Sequence, residues 1–486
     1  MNLPRILPRL SAVTAAAVLA ACGTLPAEEP PKIDAPRAFA QGKGLETGVH
    51  AQADWWAALG DPVLDVLVTQ GLAANLDLQQ AAERVQRSRA LAAGRRADLG
   101  PSGGASVGVR AQQLAAAEAP GLDRDARRGD IASAGLNLSW EIDLFGRLRQ
   151  HALAADARSA AVMADAEALH LTVGAEIAQT WFALNGAREQ LRLNQAVIEN
   201  RRTTLNLVLR RVTAGYTAPL DEARARAELS VAQADLPSQE AALAIATHRL
   251  AVLLGVNPSV YEAPPPTPQR APHAVALRVP APAQWMALRP DLKAAEAQLH
   301  AQSLDVLAIR AEFMPRLSVG GVLGFVAGSI SGLGAAGSAS WFLAPQISVP
   351  VFDRGRIDAR LQAAQAGQRE ALMAYRQRVL LATEEVESAL VAVRQGQLRL
   401  AALQDRARHA VTAEQLARKR FEAGVSDLLE LLDAQRSAQQ AELGLAAALT
   451  AQRQQVVALQ RALGARFLPE GVGSLDPRLA AASPTT

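Results

Sequence analysis

Apolar side chains in the second half of the chain recur at steps of mostly four and three: Ile357, Leu361, Ala364, Ala371, Tyr375, Val379, Ala382, Val386, Leu390, Val393 and Leu400. That spacing gathers them on one stripe of a helix and predicts packing against a partner, with Gln368 and Gln397 interrupting the seam. No proline occurs from Arg356 to Ala423, nor from Arg147 to Ala214. A helix of such length is roughly 100 Å long. Each run ends at a glycine, Gly215 or Gly424, which tolerates the left-handed turn that closes a helix. Beyond it, Thr217 to Glu222 and Ser426 to Glu430 offer a hydroxyl followed by acids, the mark of a new helix start. The returning helices run to about Gly255 and Gly464, so each half holds an antiparallel helical hairpin with a tight tip. An earlier helix opens at Asp61-Pro62 and runs to about Leu99.

Residues 101–145 change period. Ser106 to Val109 and Leu136 to Trp140 alternate small or polar with apolar side chains, the pattern of a strand with two different faces. Arg316 to Phe325 and Ser340 to Phe352 repeat it across a Gly- and Ser-rich stretch, 328–338. Each arm of the hairpins at 102–145 and 316–352 has room for the nine to eleven residues or so that a tilted membrane strand needs. Trp140, Phe145, Trp341, Phe342 and Phe352 lie toward strand ends, as an aromatic girdle would. Ordinary soluble hairpins are the alternative.

The two halves are copies. Arg211 to Gly215 is echoed by Arg420 to Gly424, a shift of 209 (420 − 211), which also carries Arg147 to Arg356 and Gly255 to Gly464. Upstream the shift is 214, carrying Asp77-Leu78 to Asp291-Leu292 and Pro101 to Pro315. The expected organisation is a signal at 1–21, a tether at 22–60, repeat 1 at 61–256 with a β-hairpin at 102–145 and a tip near 215, and a Pro-rich crossover at 257–288. Repeat 2 follows at 289–466 with a β-hairpin at 316–352 and a tip near 424, and then a tail at 467–486.

Arg5, Arg9 and the apolar run Ala12 to Ala20 make a targeting segment too short to span a bilayer. Leu19-Ala20-Ala21-Cys22 resembles a bacterial lipoprotein cleavage site, with Cys22, the chain's single cysteine, as the acylated residue; an incidental cysteine in a discarded signal is the other reading. Gly23, where an aspartate is absent, resembles sorting to the outer membrane. One cysteine excludes a disulfide framework. The formal charge of +3, carried by scattered arginines, argues against a nucleic-acid face.

Four strands cannot close a barrel, and open sheet edges are not tolerated in lipid. Cyclic symmetry resolves this: three chains supply twelve strands. The fold class is therefore an α+β membrane protein of two tandem repeats. Its four transmembrane strands share a trimeric 12-stranded barrel, continued by a long α-helical coiled-coil tunnel. Another closed oligomer satisfies the same rule.

Trp55-Trp56, Asp61-Pro62, Asn75 to Leu78 and Arg84-Val85 resemble the opening of outer-membrane efflux lipoproteins. Trp140 to Arg147, Val351 to Arg356, Ala423 to Val425 and Leu431 to Arg436 are similar to further motifs of that family, the TolC/OprM-like outer-membrane factors of the NodT lipoprotein type. The resemblance implies a homotrimeric channel in the outer membrane that extends into the periplasm. It would pass drugs or other toxic small molecules delivered by a periplasmic adaptor and an inner-membrane pump. It also implies a periplasmic gate at Leu429, Asp433 and Arg436, although Asp433 and Arg436 also fit a solvated helix-face pair. The adaptor would dock at the tips: Arg211, Gly215, Thr217, Arg420, Gly424 and Ser426. Arg211 and Arg420 serve equally as cations complementing a helix C-terminus. A protein-secretion conduit and a pore-less periplasmic scaffold remain as alternatives.

Gly332 to Gly337 matches a dinucleotide fingerprint, but Pro345 and Pro350 forbid the helix that should follow. His151, His170, His248, His300 and His409 stand singly, without metal spacing. The sequence thus predicts no enzyme, no cofactor, no metal and no nucleic-acid partner.

Overall fold

The computed structural model describes residues 38–42, 46–47, 55–266 and 278–464. The predicted signal, Cys22 and the tail at 467–486 lie outside them. In the first half, α1 (Pro62–Ala74) and α2 (Leu76–Ala97) precede strands β1 (Ser102–Gln113) and β2 (Arg128–Ile142). The long α3 (Arg147–Thr213) and the returning α4 (Pro219–Leu253) follow. The order then recurs as α5 (Pro282–Leu288), α6 (Pro290–Ala311), β3 (Arg316–Ala327), β4 (Ala339–Ser348), α7 (Arg354–Glu422) and α8 (Leu428–Ala462). The chain divides into two compact units: one takes residues 85–162 and 295–375, the other the remaining described residues.

The first unit holds one sheet in the order β1-β2-β3-β4, antiparallel throughout. Beside it, Ala154 and Ala157 of α3 are buried with Ala301 and Leu304 of α6, small side chains that let helices approach closely. Arg158 pairs with Asp305, and Arg360 with Glu312. At the junction of β2 and α3, the Arg147 guanidinium donates to both Glu141 oxygens, at 2.9 and 2.8 Å.

In the second unit, Ile177, Trp181 and Leu184 of α3 are fully buried with Leu64 and Val68 of α1 and Leu250 of α4. Asp61 fixes the entry. One carboxylate oxygen accepts from the amides of Val63 and Leu64, capping α1, and the other accepts from Trp181 Nε1 at 2.7 Å. The predicted helix 61–99 is interrupted at Asn75, which is extended and hands the chain from α1 to α2. Its Oδ1 accepts from Asp77 and Leu78, and its Nδ2 donates to the Leu253 carbonyl at 3.0 Å. The shifts of 214 and 209 carry Asn75 to Arg289 and Leu253 to Ala462. There Arg289 Nη1 donates to the Ala462 carbonyl at 3.0 Å. Both repeats thus tie a helix break to a C-terminal carbonyl of the returning helix, with different chemistry.

Other expectations need correction. The stretch read as a tether contains the 3₁₀ turn Trp55–Leu59, whose two tryptophans are buried. Glu46–Thr47 forms a two-residue parallel ladder with Arg278–Val279, and α5 occupies the end of the crossover. These pieces lack the periodicity of a longer element and are held by tertiary contacts. The second hairpin ends at Ser348, not Phe352, because its partner β3 begins at Arg316, opposite Ser348. Trp341 and Phe342 are adjacent on β4, so they face opposite sides of the sheet and cannot both serve one aromatic belt. Helix α8 is capped by Asp427, not by the preceding hydroxyl, and Ala218, at the N-cap of α4, supplies no side-chain cap.

Candidate functional site

Two regions carry the candidate function. In the first unit the sheet has two chemically distinct faces. The register places Ala105, Val107 and Val109 of β1 on one side with Leu136, Leu138 and Trp140 of β2, Val319, Leu323 and Phe325 of β3, and Trp341, Leu343 and Ile347 of β4. The opposite side carries Ser106, Gly108 and Arg110, then Asn137 and Ser139, Ser318 and Gly320, and Ser340, Gln346 and Ser348; Ile131, Val322, Val326 and Phe342 are its large apolar members. Leu136, Leu323, Trp341 and Ile347 are well exposed, Trp341 at 75%. Strands β1 and β4 form the two margins of the sheet and do not pair with each other. No helix among the described residues is long and apolar enough to cross a membrane.

The second region is the helical tip, within the second unit. Both tips turn through a glycine with φ +76°, Gly215 and Gly424. Helix α8 divides its side chains lengthwise. Leu428, Leu431, Leu432 and Gln435 are buried, the leucines packing with Val208, Ala417 and Phe421. Leu429, Asp433 and Arg436, spaced four and three apart, lie on the exposed stripe, Leu429 being 52% exposed. The three residues expected at the gate therefore share one open helix face. Arg436 donates to Glu228 of α4 at 3.3 Å rather than pairing with Asp433.

The tip residues divide. Arg211 donates from one guanidinium nitrogen to the carbonyls of Phe421, at 2.6 Å, and Glu422, and its guanidinium lies 4.3 Å from the Phe421 ring centroid. This is helix C-terminal complementation, but of the other repeat's helix. Arg420 is exposed and donates to Glu430 at 3.1 Å. Thr217 donates to Asp221, and the Ser426 hydroxyl is buried with no hydrogen-bond partner among the described residues. Gly215 and Gly424 are exposed.

Behind the exposed stripe lies a polar cluster that sequence reading missed. Arg201 of α3, 3% exposed, donates to Gln435 and lies 3.6 Å from Glu228. Gln435 donates to Asn200 and Thr204. Burial pulls the Arg201 guanidinium below its ordinary pKa, and Glu228 opposes that shift. Gln435 falls within the apolar spacing of α8, the one signal that could have marked it. Among the described residues no group of His, Cys, Asp and Glu is arranged to hold a metal ion.

The family described as outer membrane efflux protein matches residues 67–256 and 281–465. Nodulation protein T of Rhizobium leguminosarum bv. trifolii is 29% identical over 459 residues, covering 93% of this chain and 96% of its own. Outer membrane protein OprJ of Pseudomonas aeruginosa is 32% identical over 464 residues, covering 94% and 95% respectively. Among solved structures, the outer-membrane channel OprN is similar with a TM-score of 0.85 at 32% identity, over 92% of this chain and 99% of the other.

Proposed function

The chain belongs to the outer membrane efflux protein family, and from that premise we propose that three copies assemble into a channel-tunnel serving a tripartite efflux system. It is an outer-membrane protein. The tunnel passively conducts small toxic molecules received from a periplasmic adaptor and an inner-membrane pump. Cys22 carries the lipid anchor.

The observation that carries this reading is the sheet: one face apolar, one polar, and two unpaired margins. In lipid, an unpaired strand edge exposes backbone groups at several kcal/mol each. Joining three such sheets in a ring removes every margin, with the apolar face toward lipid and the polar face toward a wet lumen.

Leu429, Asp433 and Arg436 form the periplasmic gate. Symmetry triples Asp433 into a carboxylate ring that favours cations, and Leu429 into an apolar constriction. Arg436 holds the stripe to α4 through Glu228. The two tips, with Arg211, Gly215, Thr217, Arg420, Gly424 and Ser426, receive the adaptor.

Planar-bilayer recording on the purified protein, with its mass measured in detergent, tests this reading. The expected result is a trimer that conducts ions, with Asp433→Asn lowering cation preference and Arg436→Ala raising conductance. A monodisperse single copy that leaves the bilayer silent overturns it.

A further inference from the structure

The internal repeat predicts more than closure: it gives the register in which one copy's β4 meets the next copy's β1. The shift of 214 carries Ser102–Gln113 onto Arg316–Ala327, so β1 and β3 are equivalent strands of equal length. The shift of 209 carries Ser139 onto Ser348, so β2 and β4 are equivalent. The observed hairpins obey both shifts. Ser102 lies opposite Ser139, and Arg316 opposite Ser348; Gly103 lies opposite Leu138, and Leu317 opposite Ile347. Although each hairpin has its own loop, the two are the same object in register.

The seam between the hairpins is the pairing of β2 with β3, from Ile142 opposite Leu317 to Ala132 opposite Ala327. It joins the second strand of one repeat to the first strand of the other. The two free margins, β4 and β1, are again a second strand and a first strand. Their alternating directions make β4 of one copy antiparallel to β1 of the next.

We propose that β4 of one copy pairs with β1 of a second copy in the register of the internal β2–β3 seam, so that Ser348 faces Ser106 and Gln346 faces Gly108 across the subunit boundary. The proposal rests on the oligomeric barrel proposed above. Carrying Ser139–Gly320 and Asn137–Val322 through the two shifts yields these pairs. The same operation sets Ile347 against Val107, Pro345 against Val109 and Leu343 against Ala111. Every one of these falls on the apolar face already established within a single sheet, and Ser348, Gln346, Ser106 and Gly108 all fall on the polar one. A slip of one residue would turn that agreement inside out and bring Arg110 beside Leu343. A slip of two would keep the faces but break equivalence with the internal seam.

Cysteine pairs read the register directly. Directly opposite side chains in an antiparallel pair have Cβ atoms about 5 Å apart, against roughly 7–8 Å for diagonal neighbours, and only the first approaches disulfide geometry. Four double variants of the full chain form a square: Ser106→Cys or Gly108→Cys, each combined with Ser348→Cys or Gln346→Cys. Oxidation in outer-membrane preparations is followed by denaturing electrophoresis, with the parent chain and its single Cys22 as background. The two matched pairs, 106 with 348 and 108 with 346, are expected to form inter-subunit disulfides about tenfold faster than the two mismatched pairs. The Ser-to-Cys pair is nearly isosteric, so it remains informative if Gly108→Cys assembles poorly.

Faster cross-linking of a mismatched pair overturns this register and leaves the barrel standing. An intact trimer with no inter-subunit disulfide in any variant overturns β4–β1 pairing. A monomeric parent chain instead removes the oligomeric channel itself, and the register with it.

Discussion

Arg289 shows how one side chain can hold a helix break. It is buried against Trp285, donates to the Ala462 carbonyl, and forks onto Asp291 while also reaching Glu385 at 2.9 Å. Removing it strands the half-buried Asp291 carboxylate; the Ala462 carbonyl keeps only its bond from Trp285 Nε1, and the exposed Glu385 turns to water. Arg289→Ala should therefore lower stability by about 3–5 kcal/mol, the cost of breaking a buried charged network from one side; a denaturation midpoint within 1 °C or so of the parent would contradict this. His151 acts with pH. Burial first, then the neighbouring Arg147, holds its imidazole below the ordinary 6.5, and Asp305 at 4.0 Å only partly offsets them. A histidine with a lowered folded pKa favours the native state when neutral. That contribution is complete above 6.5 and declines as pH falls toward the folded value. The parent should lose more of its urea midpoint between about pH 7.5 and about pH 5 than His151→Gln does, and equal losses would remove His151 as a cause.

Among the elements, the glycines that end the helices separate two demands that sequence alone merges. Gly424 has φ +76° with open space around it, so an added methyl group meets only the backbone penalty. Gly255 has φ +69° and an added Cβ would sit 2.5 Å from the Ala74 carbonyl oxygen. Gly424→Ala is expected to cost about 1 kcal/mol and Gly255→Ala clearly more. Calorimetry on the two variants reads the difference, and a larger loss at Gly424 would contradict the packing argument. Helix α8 makes a related point. Its buried and exposed stripes follow from the spacing of Leu428, Leu431 and Leu432 against Leu429 and Asp433. That Gln435 belongs to the buried set depends on Arg201, Asn200 and Thr204 meeting it from α3.

For the whole molecule, the barrel proposed above makes the two faces of the sheet decide which substitutions the membrane tolerates. Leu343→Arg places a cation on the apolar face, at a cost of about 2–4 kcal/mol if that face meets the bilayer midplane. Gln346→Arg, three positions away on the polar face, should assemble normally. The yield of heat-sensitive oligomer in membranes checks the contrast, and equal yields would deny the lipid assignment of the apolar face.

The sequence by itself determined the duplicated order of elements, because long helices, two-faced strands and glycine-closed tips each carry a local period that needs no partner to be read. It also brought Leu429, Asp433 and Arg436 onto one helix face, since steps of four and three fix their direction. Only the tertiary structure decided the breaks at Asn75 and Arg289, the burial of Trp55 and Trp56, the reach of Arg211 to Phe421 and the cluster around Arg201. Each of these depends on a hydrogen bond or contact between residues far apart in the chain. Such pairings leave no periodic trace, because their geometry exists only once the helices have packed.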